Sequence, residues 1–264
     1  MNIFWREFKA SFKSLIIWSV IVIVFNVVGF SKFTAYYGNP EMLAILDSMP
    51  PAFMDALSMR AFNLTTLTGF FGVMFVYFAL MLSIAAAMWG SDAISKEERD
   101  KTVEFALTLP VTRGRVVFSK TAAALLDCIL LLLVTWGITL VSSSKYAPES
   151  GFTSFVSISM LAFFILQLVF LAIGVLLGCA LKQYRRASSI GVAVILVTYF
   201  FSVISGLSDK VEFLKYFSPF KYFDPAMLLN ESRFDLTFVL LSAGIVVASL
   251  VGGYFAYSKR DLYI

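Results

Sequence analysis

Six long apolar runs alternate with short polar connections along the chain. A helix needs about 20 mostly apolar residues to cross a hydrocarbon core about 30 Å thick, because each residue adds about 1.5 Å. The pattern therefore predicts an all-α polytopic membrane protein with six transmembrane helices in a single transmembrane domain over residues 1–264. The predicted spans cover about residues 13–30, 64–89, 117–141, 152–181, 188–207 and 236–257.

Composition excludes several classes of protein. Hydrophobic residues make up 59% of the chain and charged residues 14%, which excludes a soluble globule of this length. The sequence contains no histidine, so a histidine-based catalytic site or metal site is excluded. Cys128 and Cys179 both fall in apolar runs, and we expect them to be small core residues. We therefore expect no catalytic residue, no metal ligand and no cofactor in this chain.

The distribution of basic residues predicts the orientation. An even number of spans places both termini on one side, and that side carries 14 of the 21 Lys and Arg residues. Positive residues are retained on the cytoplasmic side, so we expect both termini to be cytoplasmic in a multi-pass protein of the plasma membrane. The net charge of +4 then reflects residues that flank the bilayer, and no nucleic-acid partner is expected.

The first 14 residues have two faces at helical spacing. Phe4, Trp5, Phe8 and Phe12 share one face, and charged residues occupy the other. This pattern predicts an amphipathic helix in the interface, and the alternative is a basic flank that only sets topology.

An outer segment before the last span, residues 212–229, contains Pro219 and Pro225 and many aromatic residues. It is too polar to span and too aromatic for a free loop. We expect a re-entrant or interfacial pair of short helices, because backbone at membrane depth must be covered by protein or water. Residues 45–59 are a weaker example of the same pattern.

The connection between the second and third spans also predicts a short helix. Ser95 and Glu98 fit a capping box, Pro110 supplies a stop, and Thr112 can cap the third span. One face carries Glu97, Lys101, Glu104 and Thr108, and another carries Val103, Ala106, Leu107 and Pro110. From the pattern alone, docking into a partner's groove and resting on lipid headgroups both remain open.

Three polar residues lie inside the predicted spans. Asn26, Asp127 and Gln167 are candidates for a translocation path, since polar residues at depth face a bundle interior or a cavity. Asp127 lies only two turns beyond Lys120, so snorkelling or pairing near the cytoplasmic interface is at least as good an interpretation. The G-x-x-x-G of Gly174 in the fourth span permits close helix approach, either within the chain or at a dimer interface.

Residues 97–120 resemble the permease subunit of an ABC-2 type exporter. The matching residues are Glu98, Thr102, Glu104, Leu107, Leu109, Pro110, Val111, Arg113 and Lys120. Lys101 and Ser119 stand where the family usually has glycine. The resemblance extends along the chain through the six spans, the amphipathic start and the aromatic outer segment.

The resemblance implies a permease that is not itself an enzyme and that forms the translocation path with a second copy or a homologue. Two separate cytoplasmic ATPase subunits would bind ATP and Mg, since the chain has no phosphate-loop motif. Residues 97–110 would be the coupling helix, and the residues expected to couple to the ATPase are Glu97, Glu98, Thr102, Val103, Glu104, Leu107, Leu109, Pro110 and Arg113. The alternatives are an ion-coupled secondary transporter or a membrane-embedded enzyme, which the nearly charge-free spans disfavour.

Overall fold

The computed structural model describes residues 3–39, 62–99, 112–181, 183–207 and 209–259, which contain helices and turns but no strand. Six helices are long and apolar enough to cross a membrane, which confirms the predicted all-α membrane fold. They are α1 (Ile3–Tyr36), α2 (Leu67–Arg99), α3 (Arg113–Ser143), α4 (Phe152–Ala180), α5 (Tyr184–Ser205) and α8 (Leu236–Ser258). A 3-10 helix (Asp209–Phe217) and the short helices α6 (Pro219–Tyr222) and α7 (Pro225–Glu231) lie between α5 and α8.

Helices α2 and α4 form the centre of the bundle. Of the most apolar stretch of each helix, 72% is buried in α2 and 61% in α4, against 33% or less in the other four. Helix α1 packs mainly on α3, α5 on α2, and α8 on α4. The outer helices therefore present long apolar faces, which suits contact with lipid or another membrane chain.

We call the end of the bundle at which α1 begins the basic end, because its flanks carry most of the Lys and Arg. Helix α1 is continuous from Ile3 to Tyr36, so the predicted amphipathic start and the first span form one helix. No proline or glycine occurs between Ile3 and Val28 to end it. The expected helix at residues 45–59 lies outside the described residues.

Aromatic rings close the opposite end of the bundle between α1, α2 and α3. Phe33 is fully buried and stacks on Phe70, with 4.7 Å between ring centroids. Tyr146, just beyond α3, packs on Phe33 at 4.9 Å, and its hydroxyl donates to the Phe30 carbonyl at 2.9 Å. These contacts join three helices, and a cavity of about 350 Å³ lies beside them between α1 and α3, with Phe30 and Tyr146 in its lining.

The segment between α5 and α8 is a set of short helices, as expected. Pro219 and Pro225 stand at the starts of α6 and α7, where a missing N–H costs nothing. The buried Ser218 hydroxyl donates to the Thr198 carbonyl at 2.6 Å, a point about 10 Å before the end of α5. Phe220 packs on the α4 residue Phe170 at 5.2 Å. The segment therefore folds back along the bundle, and whether it is re-entrant or interfacial in the membrane stays a prediction.

The 3-10 helix at the start of this segment carries both exposed aromatic rings and an ion pair. Phe213 and Phe217 are exposed, while Lys215 pairs with Glu212 at 2.6 Å. The hydrogen bond from Lys215 holds the pKa of Glu212 below its usual value. Exposed rings beside an ion pair are typical of a helix at a membrane interface.

Candidate functional site

The basic end brings together the ends of α2 and α8 and the starts of α1 and α3. Helix α2 continues ten residues past the predicted end of its span and includes Ser95. The prediction that Ser95 caps a separate helix is wrong. Its hydroxyl donates to the Ser91 carbonyl at 2.8 Å, one turn earlier in the same helix, and so serves no helix start.

The expected coupling residues are therefore divided. Glu97 and Glu98 belong to the last turn of α2. Thr102, Val103, Glu104, Leu107, Leu109 and Pro110 lie outside the described residues, so the coupling role of this segment stays a prediction.

Helix α3 begins immediately after that segment and is fixed at its first residues. The Thr112 side chain accepts a hydrogen bond from the Arg115 N–H at 3.4 Å, so Thr112 is the cap that the sequence predicts. Arg113 Nη1 donates to the carbonyls of Tyr257 and Ser258 at 3.2 Å each. A guanidinium at the last carbonyls of a helix is favourable because the C-terminus is the negative end of the dipole. Arg113 thus joins the start of α3 to the end of α8.

Helices α2 and α4 cross at backbone contact near the basic end. A Cβ on Gly174 would lie 2.4 Å from the Ala87 carbonyl oxygen, and one on Gly90 would lie 2.4 Å from that of Leu171. Gly178 is similarly close to the Ser91 carbonyl, at 2.8 Å. Only glycine fits these positions, so the G-x-x-x-G of α4 packs within the chain.

Between α1, α2 and α3 at this end lies a cavity of about 270 Å³. Small residues of α1 and α3, among them Ala10, Ser11, Ala123 and Ala124, leave the space. Six charged residues also line it: Glu7, Lys13, Asp92, Lys96, Lys120 and Asp127. The cavity is the largest concentration of charge inside the part of the bundle that the structure describes.

Two of these charged residues belong to α3 and are almost completely buried. Lys120 and Asp127 are each 1% exposed and lie about 10 Å apart along the helix. Lys120 Nζ donates to the Ala93 carbonyl of α2 at 2.9 Å. Among the described residues, no group donates a hydrogen bond to Asp127 Oδ1. Asp127 lies farther from the start of α3 than Lys120 does, and so deeper in the bundle.

The start of α1 forms one wall of the cavity with its polar face. Glu7 is buried and forms an ion pair with Arg6, whose Nη2 lies 3.2 Å from the Glu7 carboxylate. By contrast, the side chains of Trp5 and Phe12 are 53% and 49% exposed. Trp5 and Phe12 therefore face away from the bundle, whereas Phe8 packs against its core. Trp89 of α2 is held on the wall by its indole N–H, which donates to Ser14 Oγ at 3.0 Å.

The other two expected path residues are separate from this cavity. Asn26 Nδ2 donates to Thr139 Oγ1 at 3.0 Å and joins α1 to α3. Gln167 Nε2 donates to the Cys128 carbonyl at 3.3 Å and joins α4 to α3. Each has an oxygen that accepts no hydrogen bond within the described chain. That all three residues line one translocation path stays a prediction.

Sequence reasoning found Asp127 but not its setting. Glu7, Ser11 and Ser14 recur at spacings of four and three, so they share one face of α1. Read together with the Lys120 and Asp127 pair on α3, that face could have indicated an inward-facing polar cavity. The aromatic residues of the same segment dominated the interpretation instead.

Comparison with known proteins agrees with the resemblance in the sequence. A family model described as ABC-2 family transporter protein matches residues 1–262. No curated protein matches the chain at a significant level.

Proposed function

The chain belongs to the ABC-2 transporter family, whose members are permease components that work with ABC ATPase partners, and from this premise we propose the finer arrangement. It is the permease of an exporter, and two copies, or one copy and a homologue, form the translocation path. Two cytoplasmic ATPase subunits bind ATP and Mg and drive it. The complex lies in the plasma membrane with both termini of this chain in the cytoplasm.

One observation carries the coupling part of this proposal. Residues 100–111 connect two fixed points, the end of α2 at Arg99 and the start of α3 at Arg113. Through Arg113 the second point is tied to α8, and the glycine contacts pack α2 on α4 at Gly90, about 14 Å before the end of α2. A displacement applied to the connection would therefore reach four helices, which is what a coupling element requires.

The coupling role is tested by variants of two expected coupling residues, Leu107→Asp on the apolar face and Leu109→Asp. A buried unpaired charge in an apolar contact costs on the order of 1–3 kcal/mol or more. We expect normal membrane insertion, with loss of ATPase co-purification or of substrate-stimulated ATP hydrolysis. Glu104→Ala should have a smaller effect if its face is solvated.

Thr108→Asp is the matched control, because it introduces the same side chain on the opposite face of the same segment. It should retain ATPase association. Wild-type co-purification and ATPase stimulation in both leucine variants would contradict the coupling role and leave contact with lipid as the explanation.

The orientation is tested by single-cysteine labelling in a variant that lacks Cys128 and Cys179. A cysteine at Lys101 should be protected from an impermeant thiol reagent in intact cells, and one at Ser150, on the opposite side, should be labelled. Labelling with the reverse pattern would overturn the orientation.

The assembly is tested by the mass of the solubilised complex. We expect two permease chains and two ATPase chains. A single permease chain that transports without an ATPase subunit would contradict the proposal.

A further inference from the structure

Asp127 lies at the floor of the cavity at the basic end, and one of its two carboxylate oxygens, Oδ1, has no hydrogen-bond donor among the described residues. Its carboxyl is 1% exposed and lines the cavity. A buried carboxylate oxygen without a donor costs free energy, because the oxygen has lost its hydrogen bonds to water and gained none in return. A cationic N–H donor placed in the cavity would satisfy it with a charge-assisted hydrogen bond.

The walls around Asp127 leave room for such a group. Ala123 and Ala124 precede Asp127 on α3, and Ala10 and Ser11 face them from α1. Trp89 adds an aromatic wall whose position is fixed by the hydrogen bond to Ser14. An aromatic ring near a carboxylate is a favourable setting for an ammonium group.

The other charged residues indicate what the rest of the ligand carries. Lys13 is exposed and Lys96 half-buried on the cavity lining, so both lie nearer solvent than Asp127. The remaining carboxylates have donors: Glu7 pairs with Arg6, and Asp92 accepts from Ser188 Oγ at 3.4 Å. The basic residues toward the mouth suit an anionic group, and the floor suits a cation.

We propose that this cavity binds a zwitterion with a primary ammonium group, seated at Asp127, and an anionic group near Lys13 and Lys96. A volume of about 270 Å³ is small for a ligand site and fits a headgroup or a small metabolite. The phosphoethanolamine group has this chemistry, and it occurs both as a free solute and as the headgroup of phosphatidylethanolamine. The inference concerns binding by this chain and does not depend on coupling to an ATPase.

The test uses the full chain without its ATPase partner, in nanodiscs of phosphatidylglycerol, which has no amine. Equilibrium binding of radiolabelled O-phosphoethanolamine is measured in one arm. In the other arm, nanodiscs contain equal amounts of phosphatidylethanolamine and phosphatidylglycerol, and native mass spectrometry measures which lipid stays bound. Inorganic phosphate is the competitor that lacks the ammonium group.

Two variants alter the cavity. Asp127→Asn keeps the shape of the floor and removes its charge, and Ala10→Leu fills the space from an exposed position of α1. Each should weaken binding by about tenfold or more. Glu231→Gln removes an exposed carboxylate at the opposite end and should bind as the wild type does. Protection of the buried Cys179 thiol shows that each variant is folded.

Saturable binding that both cavity variants weaken supports the proposal. Binding of radiolabelled O-phosphoethanolamine assigns the site to a free solute. Selective retention of phosphatidylethanolamine in the mixed nanodiscs assigns it to the lipid headgroup. The proposal is overturned if neither probe binds, if Asp127→Asn binds like the wild type, or if inorganic phosphate competes as well as phosphoethanolamine does. None of these results bears on the ATPase co-purification test.

Discussion

The same three helices, α1, α2 and α3, meet in opposite ways at the two ends of the bundle. At the opposite end the rings of Phe33, Phe70 and Tyr146 close the space between all three helices, and the cavity of about 350 Å³ there lies between α1 and α3 only. At the basic end they are lined by small and charged residues and enclose a cavity. The same helices form both ends, so the difference lies in the side chains that each end carries: large rings at one end, small and charged residues at the other.

The comparison also separates two ways of holding helices together in a membrane. Large rings join helices at a distance by filling the space between them. Glycine and a few hydrogen bonds join them at backbone contact or across a polar space. We infer that the opposite end is the more stable one and that the basic end holds the groups available to a ligand or partner.

The largest expected effect comes from removing the central ring of the closed end. Phe33→Ala deletes a fully buried side chain that stacks on Phe70, and should lower the free energy of unfolding by about 3–5 kcal/mol. The measurement is the midpoint of thermal unfolding in detergent, followed by the reaction of Cys128 and Cys179 with a thiol-specific fluorophore. Both thiols are buried in the folded chain.

Phe118→Ala is the control, because this ring on α3 is 74% exposed. It should leave the midpoint nearly unchanged. If Phe33→Ala and Phe118→Ala lowered the midpoint of thermal unfolding equally, burial against other helices would not govern stability at the closed end.

An intermediate effect is expected where α2 and α4 touch. Gly174→Ala would place a methyl group 2.4 Å from the Ala87 carbonyl oxygen, so the helices must separate. We expect a loss of about 1–3 kcal/mol in the free energy of unfolding, measured by the same thiol assay. Gly137→Ala on α3 has no atom within 4 Å of the added methyl group and should be neutral or stabilising. The close crossing is contradicted if the two substitutions have the same effect.

The smallest expected effect comes from Arg113→Ala, which removes the hydrogen bonds from α3 to the end of α8. Both bonds lie near the surface, so the loss should be about 1 kcal/mol. Hydrogen exchange of the backbone near Tyr257 is the sharper measurement, and it should increase. Arg115→Ala, two residues along, should leave exchange at α8 unchanged. Slow exchange in Arg113→Ala would mean that packing alone fixes the end of α8.

The sequence was sufficient for features that depend on local chemistry. Hydropathy located all six long helices, since each apolar run exceeds the length that a bilayer requires. Pro219 and Pro225 indicated short helices in place of a span, and Thr112 marked the start of α3. These predictions succeed because a missing N–H or a capping hydroxyl acts within one turn of the chain.

Features that depend on how helices are rotated about their axes were beyond the sequence. The Ser95 and Glu98 spacing is the same at a helix start and inside a helix, and the structure has the second case. The partner of Gly174 could have been another copy or this chain, since the motif describes only one surface. The inward direction of Glu7 follows from the packing of α1 on α3, and the spacing of Glu7, Ser11 and Ser14 shows only that they share a face.

The uninterrupted length of α2 has a mechanical consequence. The close crossing at Gly90 lies about 14 Å from the end of the helix at Arg99 and about 35 Å from its start at Leu67. If the crossing serves as a fulcrum, α2 is a lever with unequal arms. A sideways push of a given size at Arg99 then moves the far end about two and a half times as far, in the opposite direction. A small displacement at one end of α2 would then become a larger one at the other.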